Sequence, residues 1–382
     1  MTATITLPGG EPYRLREPLA PPPDAHPSTS RIAYAAAHVV ADPMADNTPG
    51  QPAALDWNST LAFRHHLWSL GLGVADAMDT AQRGMGLDWT ATAELIRRSG
   101  KEARSVGGRL VCGAGTDQLS GAADLPAVIR AYEEQVALVE EAGAGVVLMA
   151  SRALAATARD AADYHHVYGT ILRQVGNPVI LHWLGPMFDP ALGGYWGSAD
   201  LDQATESVLQ LIADHADRID GIKVSLLDAD RELALRRRLP PGVRLYTGDD
   251  FNYPDLIAGD EQGYSDALLG IFDPIAVAAA TALRAFDAGD LAGYSTAFAP
   301  TVALARHCFA TPTFHYKTGI TFLSWLSGHQ SHFVMVDGRQ SARSVPHLIE
   351  LFRLADVAGV LPDPDLAVQR MRAFLGTAGW PA

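Results

Sequence analysis

Lys223 sits in Ile219-Asp220-Gly221-Ile222-Lys223-Val224-Ser225-Leu226-Leu227, a short apolar run that reads as a buried strand between two helical segments. The chain makes its positive charge almost entirely with arginine: of 29 basic residues 26 are Arg and only three are Lys. A lysine inside a buried strand gives up its hydration, which lowers its pKa and frees the amine as a nucleophile. That is the chemistry of a Schiff-base lysine, whose neutral amine attacks a carbonyl. The other reading is a strand-end lysine neutralised by a carboxylate such as Asp249 or Asp250, and the strand by itself does not choose between them.

A lysine of either kind needs elements to hold it. Short apolar runs occur near 31–40, 73–78, 109–113, 145–149, 179–183, 219–224, 243–247 and 266–271, with amphipathic helical stretches between most of them, clearest at 89–106, 123–142, 153–174 and 200–217. Eight strand-like runs alternating with helices predict an α/β protein whose parallel sheet closes as a (β/α)8 TIM barrel. An open doubly wound sheet is the competing architecture, but no Gly-x-Gly-x-x-Gly turn follows the first strand. Before the barrel, Pro8-Gly9-Gly10-Glu11 separates Ile5-Thr6-Leu7 from Tyr13-Arg14-Leu15 and predicts a small hairpin. After Asp273-Pro274 the strands stop and helical patterns run at 274–287, 290–309, 313–327, 343–357 and 363–378. The expected organisation is an N-terminal arm over 1–29, a catalytic barrel over 30–273 and a C-terminal helical extension over 274–382.

Composition narrows the function. At 382 residues the chain can bury a large core, and its net charge of -14, with no Lys/Arg-rich run, argues against a nucleic-acid or anionic-membrane partner. Cys112 and Cys308 stand far apart in apolar segments and read as two core thiols, neither a disulfide framework nor a zinc site. No signal-like segment and no membrane-length apolar stretch is present, so the expectation is a cytoplasmic protein without a membrane partner.

In a barrel of this kind the active site lies at the C-terminal ends of the strands. Those ends supply His38, then Asp79-Thr80-Ala81-Gln82-Arg83-Gly84, Gly113-Ala114-Gly115-Thr116-Asp117, Ser151-Arg152, His182-Trp183, Lys223 and Gly248-Asp249-Asp250. Gly221-Ile222-Lys223 on the sixth strand followed by Gly248-Asp249-Asp250 after the seventh resembles the dihydrodipicolinate synthase/N-acetylneuraminate lyase family, and more narrowly a divergent branch of it. The resemblance covers roughly residues 30–330, with Lys317 placed like a structural lysine of that family.

The resemblance implies a class I enzyme that forms an imine between Lys223 and a pyruvate-like 2-keto acid, without a cofactor and without a metal. The protonated imine is an electron sink, which permits aldol cleavage or condensation with an aldehyde, or dehydration. It also implies that the turn after the second strand binds the keto-acid carboxylate. Here that turn reads Met78-Asp79-Thr80-Ala81-Gln82, keeping one threonine as Thr80 and placing Asp79 and Gln82 where the family has a threonine and a glutamate. A carboxylate at Asp79 repels a substrate carboxylate unless Arg83 or a hydroxyl offsets it. Asp79, Thr80, Gln82, Gly248 and Asp249 are the expected substrate-binding residues.

The chain also departs from the family pattern. The proton-relay tyrosine that closes the fifth strand is replaced by His182, which can move protons near neutral pH. Tyr246 and Tyr253 are reserves for that role, and the second relay tyrosine is missing from Met149-Ala150-Ser151-Arg152. The arginine that grips aspartate semialdehyde is absent from the loop after the fifth strand, so lysine biosynthesis is not the expected role. That loop, Met187 to Gly197, is aromatic and glycine-hinged and reads as a lid. A homo-oligomer follows from the resemblance. Two rival readings stand beside it: a metal-assisted barrel isomerase or hydrolase drawing on the 13 histidines, and a barrel that binds a ligand without turning it over.

Overall fold

Eight short runs of small and branched apolar residues pair, each with the next in the chain, into a closed parallel barrel: β1 (Ala33–Ala36), β2 (Gly73–Asp76), β3 (Leu110–Ala114), β4 (Gly145–Leu148), β5 (Val179–Leu184), β6 (Ile219–Ser225), β7 (Arg244–Thr247) and β8 (Asp266–Leu269). β8 pairs back onto β1 and closes the ring. The structure is a computed structural model that describes residues 3–10, 12–23 and 25–380. All eight expected strands are present, and the (β/α)8 class read from the sequence holds.

The chain forms two compact units, one of residues 31–37 and 73–270 and one of residues 1–30, 38–72 and 271–382. They interleave along the sequence and so do not coincide with the consecutive segments 1–29, 30–273 and 274–382. The first unit contains the whole barrel. Alternation along its strands points every second residue inward, where Ala36, Ala75, Val111, Val147, Ile180, Tyr246 and Leu268 form an apolar plug joined by Met78 and Met149. Five of its helices begin on aspartates. Asp88, Asp124, Asp160, Asp200 and Asp228 each accept a backbone N–H from the first turn that follows them. Each such cap contributes about 1 kcal/mol, and part of the acidic excess of the chain is spent this way, at the positive ends of helix dipoles. The helical stretch expected over 153–174 is two helices, Arg152–Thr157 and Ala161–Leu172, because Asp160 caps the second and interrupts the first.

The second unit carries the hairpin, Thr4–Thr6 paired with Pro12–Arg14; Glu11 of its turn lies outside the described residues. The buried Asp356 accepts from the Tyr13 hydroxyl at 2.7 Å and the Arg16 backbone N–H at 2.8 Å, which fixes this arm to the helix Val345–Val357. The expected tail helices are found at Ala276–Asp287, Leu291–Cys308, Tyr316–Leu326, Val345–Val357 and Pro364–Thr377. Lys317 is buried and donates to the Phe314 carbonyl at 3.4 Å. Among the described residues no helix is long and apolar enough to cross a membrane.

Candidate active site

Above the apolar plug, the next inward position on five consecutive strands is Gly113, Met149, His182, Lys223 and Gly248. The same alternation that builds the core therefore delivers a lysine and a histidine side by side: His182 and Lys223 are direct partners across the β5–β6 ladder. Lys223 is 7% exposed, and no hydrogen bond or ion pair to its Nζ is present among the described residues. Burial lowers its pKa below that of an ordinary lysine, while the carboxylates of Asp79 and Asp250 pull it back up. The pairing expected with Asp249 or Asp250 is thus an electrostatic influence from Asp250 and Asp79, with no direct ion pair.

Gly248 makes this geometry possible. A Cβ at residue 248 would stand 2.9 Å from Lys223 Cε and 2.8 Å from the Val224 carbonyl, and would collide with Ser225 Oγ. Only glycine leaves the lysine stem its channel. Ser225, two residues on from Lys223 and on the same inward face, completes the group: its Oγ lies 3.2 Å from His182 Nε2. The spacing of two was a sufficient signal for Ser225, and sequence reasoning passed over it. His182 is fully buried, and its Nδ1 has no hydrogen-bond partner among the described residues. Burial, helped by the charge of Lys223, holds its pKa well below the usual imidazole value, so the ring is neutral. An unsatisfied buried nitrogen costs about 1–3 kcal/mol, so Nδ1 is left able to accept or give a proton at a cost in stability.

The remaining expected residues divide. Asp79 opens a single 3-10 turn, Asp79–Ala81, entered through Ala77 at φ +51 and left through Gln82 at φ +65. Left-handed backbone at two non-glycine residues flanking one turn is strained and recurs where function requires a fixed turn. Thr80 is buried within it, and the Gln82 amide is tied to the Met85 carbonyl at 3.2 Å. Asp249 is a loop cap: its Oδ1 accepts from Phe251 N at 2.8 Å and Asn252 N at 3.0 Å, and its Oδ2 from Asn252 Nδ2 at 2.9 Å. Arg244 is balanced by Asp266 at 3.0 Å and Asp220 at 3.8 Å. The Tyr246 hydroxyl donates to Asp220 Oδ2 at 2.5 Å, three residues before Lys223, and so turns away from the amine; Tyr253 is buried in the helix Tyr253–Ala258. Below the loop, buried Glu232 accepts from Thr247 Oγ1 at 3.0 Å and Ser265 Oγ at 2.8 Å, and burial pushes its pKa up to about 8.

A cavity of ≈ 420 Å³ opens over the ends of β2 to β5, with Asp79, Thr116, Ser151, Arg152, Asp189 and Leu192 in its wall. Lys223 and His182 are not part of that wall. Asp79 is the expected site residue that both faces the cavity and acts on Lys223. Arg83 also borders the cavity, but its guanidinium is consumed by Asp117, by Gln135 Oε1 at 2.7 Å and by the carbonyls of Ala77 and Gly113 at 3.2 and 2.7 Å. It cannot offset Asp79 toward a substrate. Arg152 is the half-exposed cation of the wall, bound to Asp189 Oδ2 at 2.5 Å. The loop read as a lid is packed down: Leu192, Tyr195 and Trp196 are buried, Tyr195 and Tyr168 share a hydroxyl contact of 2.9 Å, and the Ser151 N–H donates to Tyr195 Oη at 2.9 Å. A tyrosine hydroxyl thus does reach the end of the fourth strand, from another element. Both cysteines are buried and unbridged. Among the described residues no group of three or more His, Cys, Asp or Glu is arranged to hold a metal ion.

Solved structures that share this architecture include members of the dihydrodipicolinate synthase family. Dihydrodipicolinate synthase from Aquifex aeolicus aligns at TM-score 0.63 and 14% identity, covering 85% of this chain and 97% of its own. YagE, a prophage protein of the dihydrodipicolinic acid synthase family from E. coli K12 solved in complex with pyruvate, aligns at TM-score 0.65 and 15% identity over 87% of this chain and 100% of its own. The chloride-inhibited dihydrodipicolinate synthase from Acinetobacter baumannii, also complexed with pyruvate, gives TM-score 0.64 and 16% identity over 87% and 100%. The fold expected from Gly221-Ile222-Lys223 and Gly248-Asp249-Asp250 is therefore the fold observed. No curated protein matches the sequence. A family model matches residues 7–380, and the chain belongs to the family that model describes as protein of unknown function (DUF993).

Proposed function

We propose that this protein is a class I lyase that forms a Schiff base between Lys223 and the carbonyl of a small 2-keto acid. The observation that carries this reading is the desolvated, unpaired amine of Lys223 beside the neutral ring of His182. The neutral amine adds to the carbonyl carbon, the carbinolamine loses water, and the resulting iminium accepts electrons from a C3–H or C3–C4 bond. Asp79 and Asp250, which raise the affinity of the amine for a proton, stabilise the positive iminium in the same way. His182, with Ser225 on its Nε2, takes and returns the proton that the adduct must exchange. Pyruvate bound in two structural neighbours supports the keto-acid class. The resemblance to that family supports a homo-oligomer.

One observation favours a second reading of the substrate. Asp79 stands in the turn assigned to the keto-acid carboxylate, and Arg83 is already saturated. A ketone or aldehyde without a carboxylate avoids that repulsion. Borohydride trapping with pyruvate, a longer 2-keto acid and dihydroxyacetone, mapped by peptide mass, separates the readings. An adduct on Lys223 that Lys223→Ala abolishes is the expected outcome, and the carbonyl compound that traps best names the substrate class. Folded protein that traps none of them overturns the imine mechanism.

A further inference from the structure

The second unit contains a hydrogen-bonded chain that the barrel chemistry does not use. Asp273 Oδ2 lies 2.8 Å from His38 Nδ1, and His38 Nε2 lies 2.9 Å from Ser324 Oγ. Asp273 Oδ2 also accepts the backbone N–H of His38 at 2.8 Å, the buried Arg64 guanidinium donates to the His38 carbonyl at 2.5 Å, and the Phe63 ring lies 4.4 Å from the imidazole. The ring is held in one orientation. All three members are 2% exposed. We propose that Ser324, His38 and Asp273 form a second catalytic centre, an acyl-transfer site that hydrolyses small apolar esters.

Three features separate this from a buried polar trio that merely satisfies itself. Ser324 lies within the helix Tyr316–Leu326, yet its hydroxyl goes to His38 and not to the preceding turn of its own helix, where helical serines commonly rest. Ser324 and Asp273 form part of the wall of a cavity of ≈ 160 Å³, whose rim includes the exposed Pro21 and Pro362. The nucleophile therefore has a space before it. Asp273 Oδ1 is buried without a hydrogen-bond partner, which a trio built only for satisfaction would not leave.

The same cavity supplies oxyanion donors. His66 and His329 border it with ring centroids 4.5 Å apart, and neither imidazole has a hydrogen-bond partner among the described residues. Burial pushes His329 down to about 3, so it stays a neutral N–H donor in this apolar setting. Phe63, Val277, Val360 and Pro362 limit the acyl group to a short apolar one.

The step balances without a further reactant. Ser324 Oγ bonds to the ester carbonyl carbon as its proton passes to His38 Nε2, with Asp273 holding Nδ1–H. The carbon–alkoxide bond then breaks and the alkoxide takes the proton from His38 as an alcohol. Water adds to the acyl-serine, His38 accepts its proton, and the acid leaves as Ser324 regains its hydrogen.

The test uses the full chain carrying Lys223→Ala, so that the barrel lysine contributes nothing, treated with a small alkyl fluorophosphonate and mapped by peptide mass. A single adduct on Ser324, absent in Ser324→Ala, is expected, with p-nitrophenyl acetate hydrolysis falling about 10³-fold in His38→Gln. Asp273 is a positioning residue, and Asp273→Asn is expected to lower kcat for that ester with little change in KM. Folded protein that is not labelled on Ser324, or labelling as fast in Asp273→Asn as in the parent, overturns the proposal.

Discussion

Arg83 and Lys223 are both buried cations near the C-terminal ends of barrel strands, and the barrel treats them in opposite ways. Arg83 is 5% exposed and surrounded: two backbone carbonyls, a glutamine and an aspartate take its donors. Lys223 is 7% exposed and meets no acceptor at bonding distance among the described residues. The planar fork of arginine, always charged, fits a site where the charge is to be kept and shared. The single amine of lysine, which loses its proton when desolvated, fits a site where the charge is to be shed. On the proposed mechanism the contrast separates a cation used as a brace from one used as a reagent, and the partners they meet draw it, since depth of burial is nearly the same.

The largest effect that could break this contrast is on stability. Arg83→Met takes the cation from Asp117, which keeps Gln135 Nε2 at 2.8 Å, and removes a donor from the carbonyls of Ala77 and Gly113. Urea unfolding is expected to show a loss of about 3 kcal/mol, the lower end for breaking a buried ion pair because Asp117 is partly exposed. Gly248→Ala forces a Cβ against Lys223 Cε and the Val224 carbonyl; about 1–3 kcal/mol should be lost, together with most borohydride trapping, while the secondary structure by circular dichroism persists. Lys223→Met, the same change of chemistry as at Arg83, is expected to leave stability unchanged or to raise it by up to about 2 kcal/mol, because no partner is orphaned. A loss as large as that of Arg83→Met would make Lys223 a brace after all.

Two smaller effects are read through pH. Glu232 keeps its proton in the folded state up to about pH 8 but loses it near 4.5 when unfolded, so the unfolded chain binds fewer protons between those values. Stability is expected to fall as pH rises through that window, and Glu232→Gln to flatten the fall in a pH series of melts. Asp79→Asn removes a carboxylate that raises the pKa of Lys223, so the midpoint of imine formation against pH should move lower. A midpoint that does not move would place Asp79 too far away to act.

The periodicity of the sequence carried the strands, the tail helices and the burial of Lys223 in a strand, because alternation reports which face a residue occupies. His182 comes from the family resemblance, and its place beside Lys223 follows from the pairing of the two strands. Periodicity carried less wherever the outcome depends on who stands opposite. The loop at Tyr195 and Trp196 reads as an exposed lid from its glycines and aromatics, but its rings are packed against Tyr164 and Tyr168, residues some thirty positions earlier. Asp249 reads from sequence equally as a substrate ligand or a loop cap, and the capping bonds it makes depend on backbone N–H groups two and three residues away. The His38–Ser324 contact spans 286 residues, beyond any local pattern.

The interleaving of the two units bears on how the chain can be made. Everything in the barrel unit has been synthesised once residue 270 is complete, whereas the Tyr13 hydroxyl waits 343 residues for Asp356. Closing so long a loop is entropically costly and slow, and it cannot begin until the late helices emerge. On a ribosome, the arm and the segment 38–72 therefore emerge long before the late helices of their own unit, while every residue of the barrel unit is available earlier.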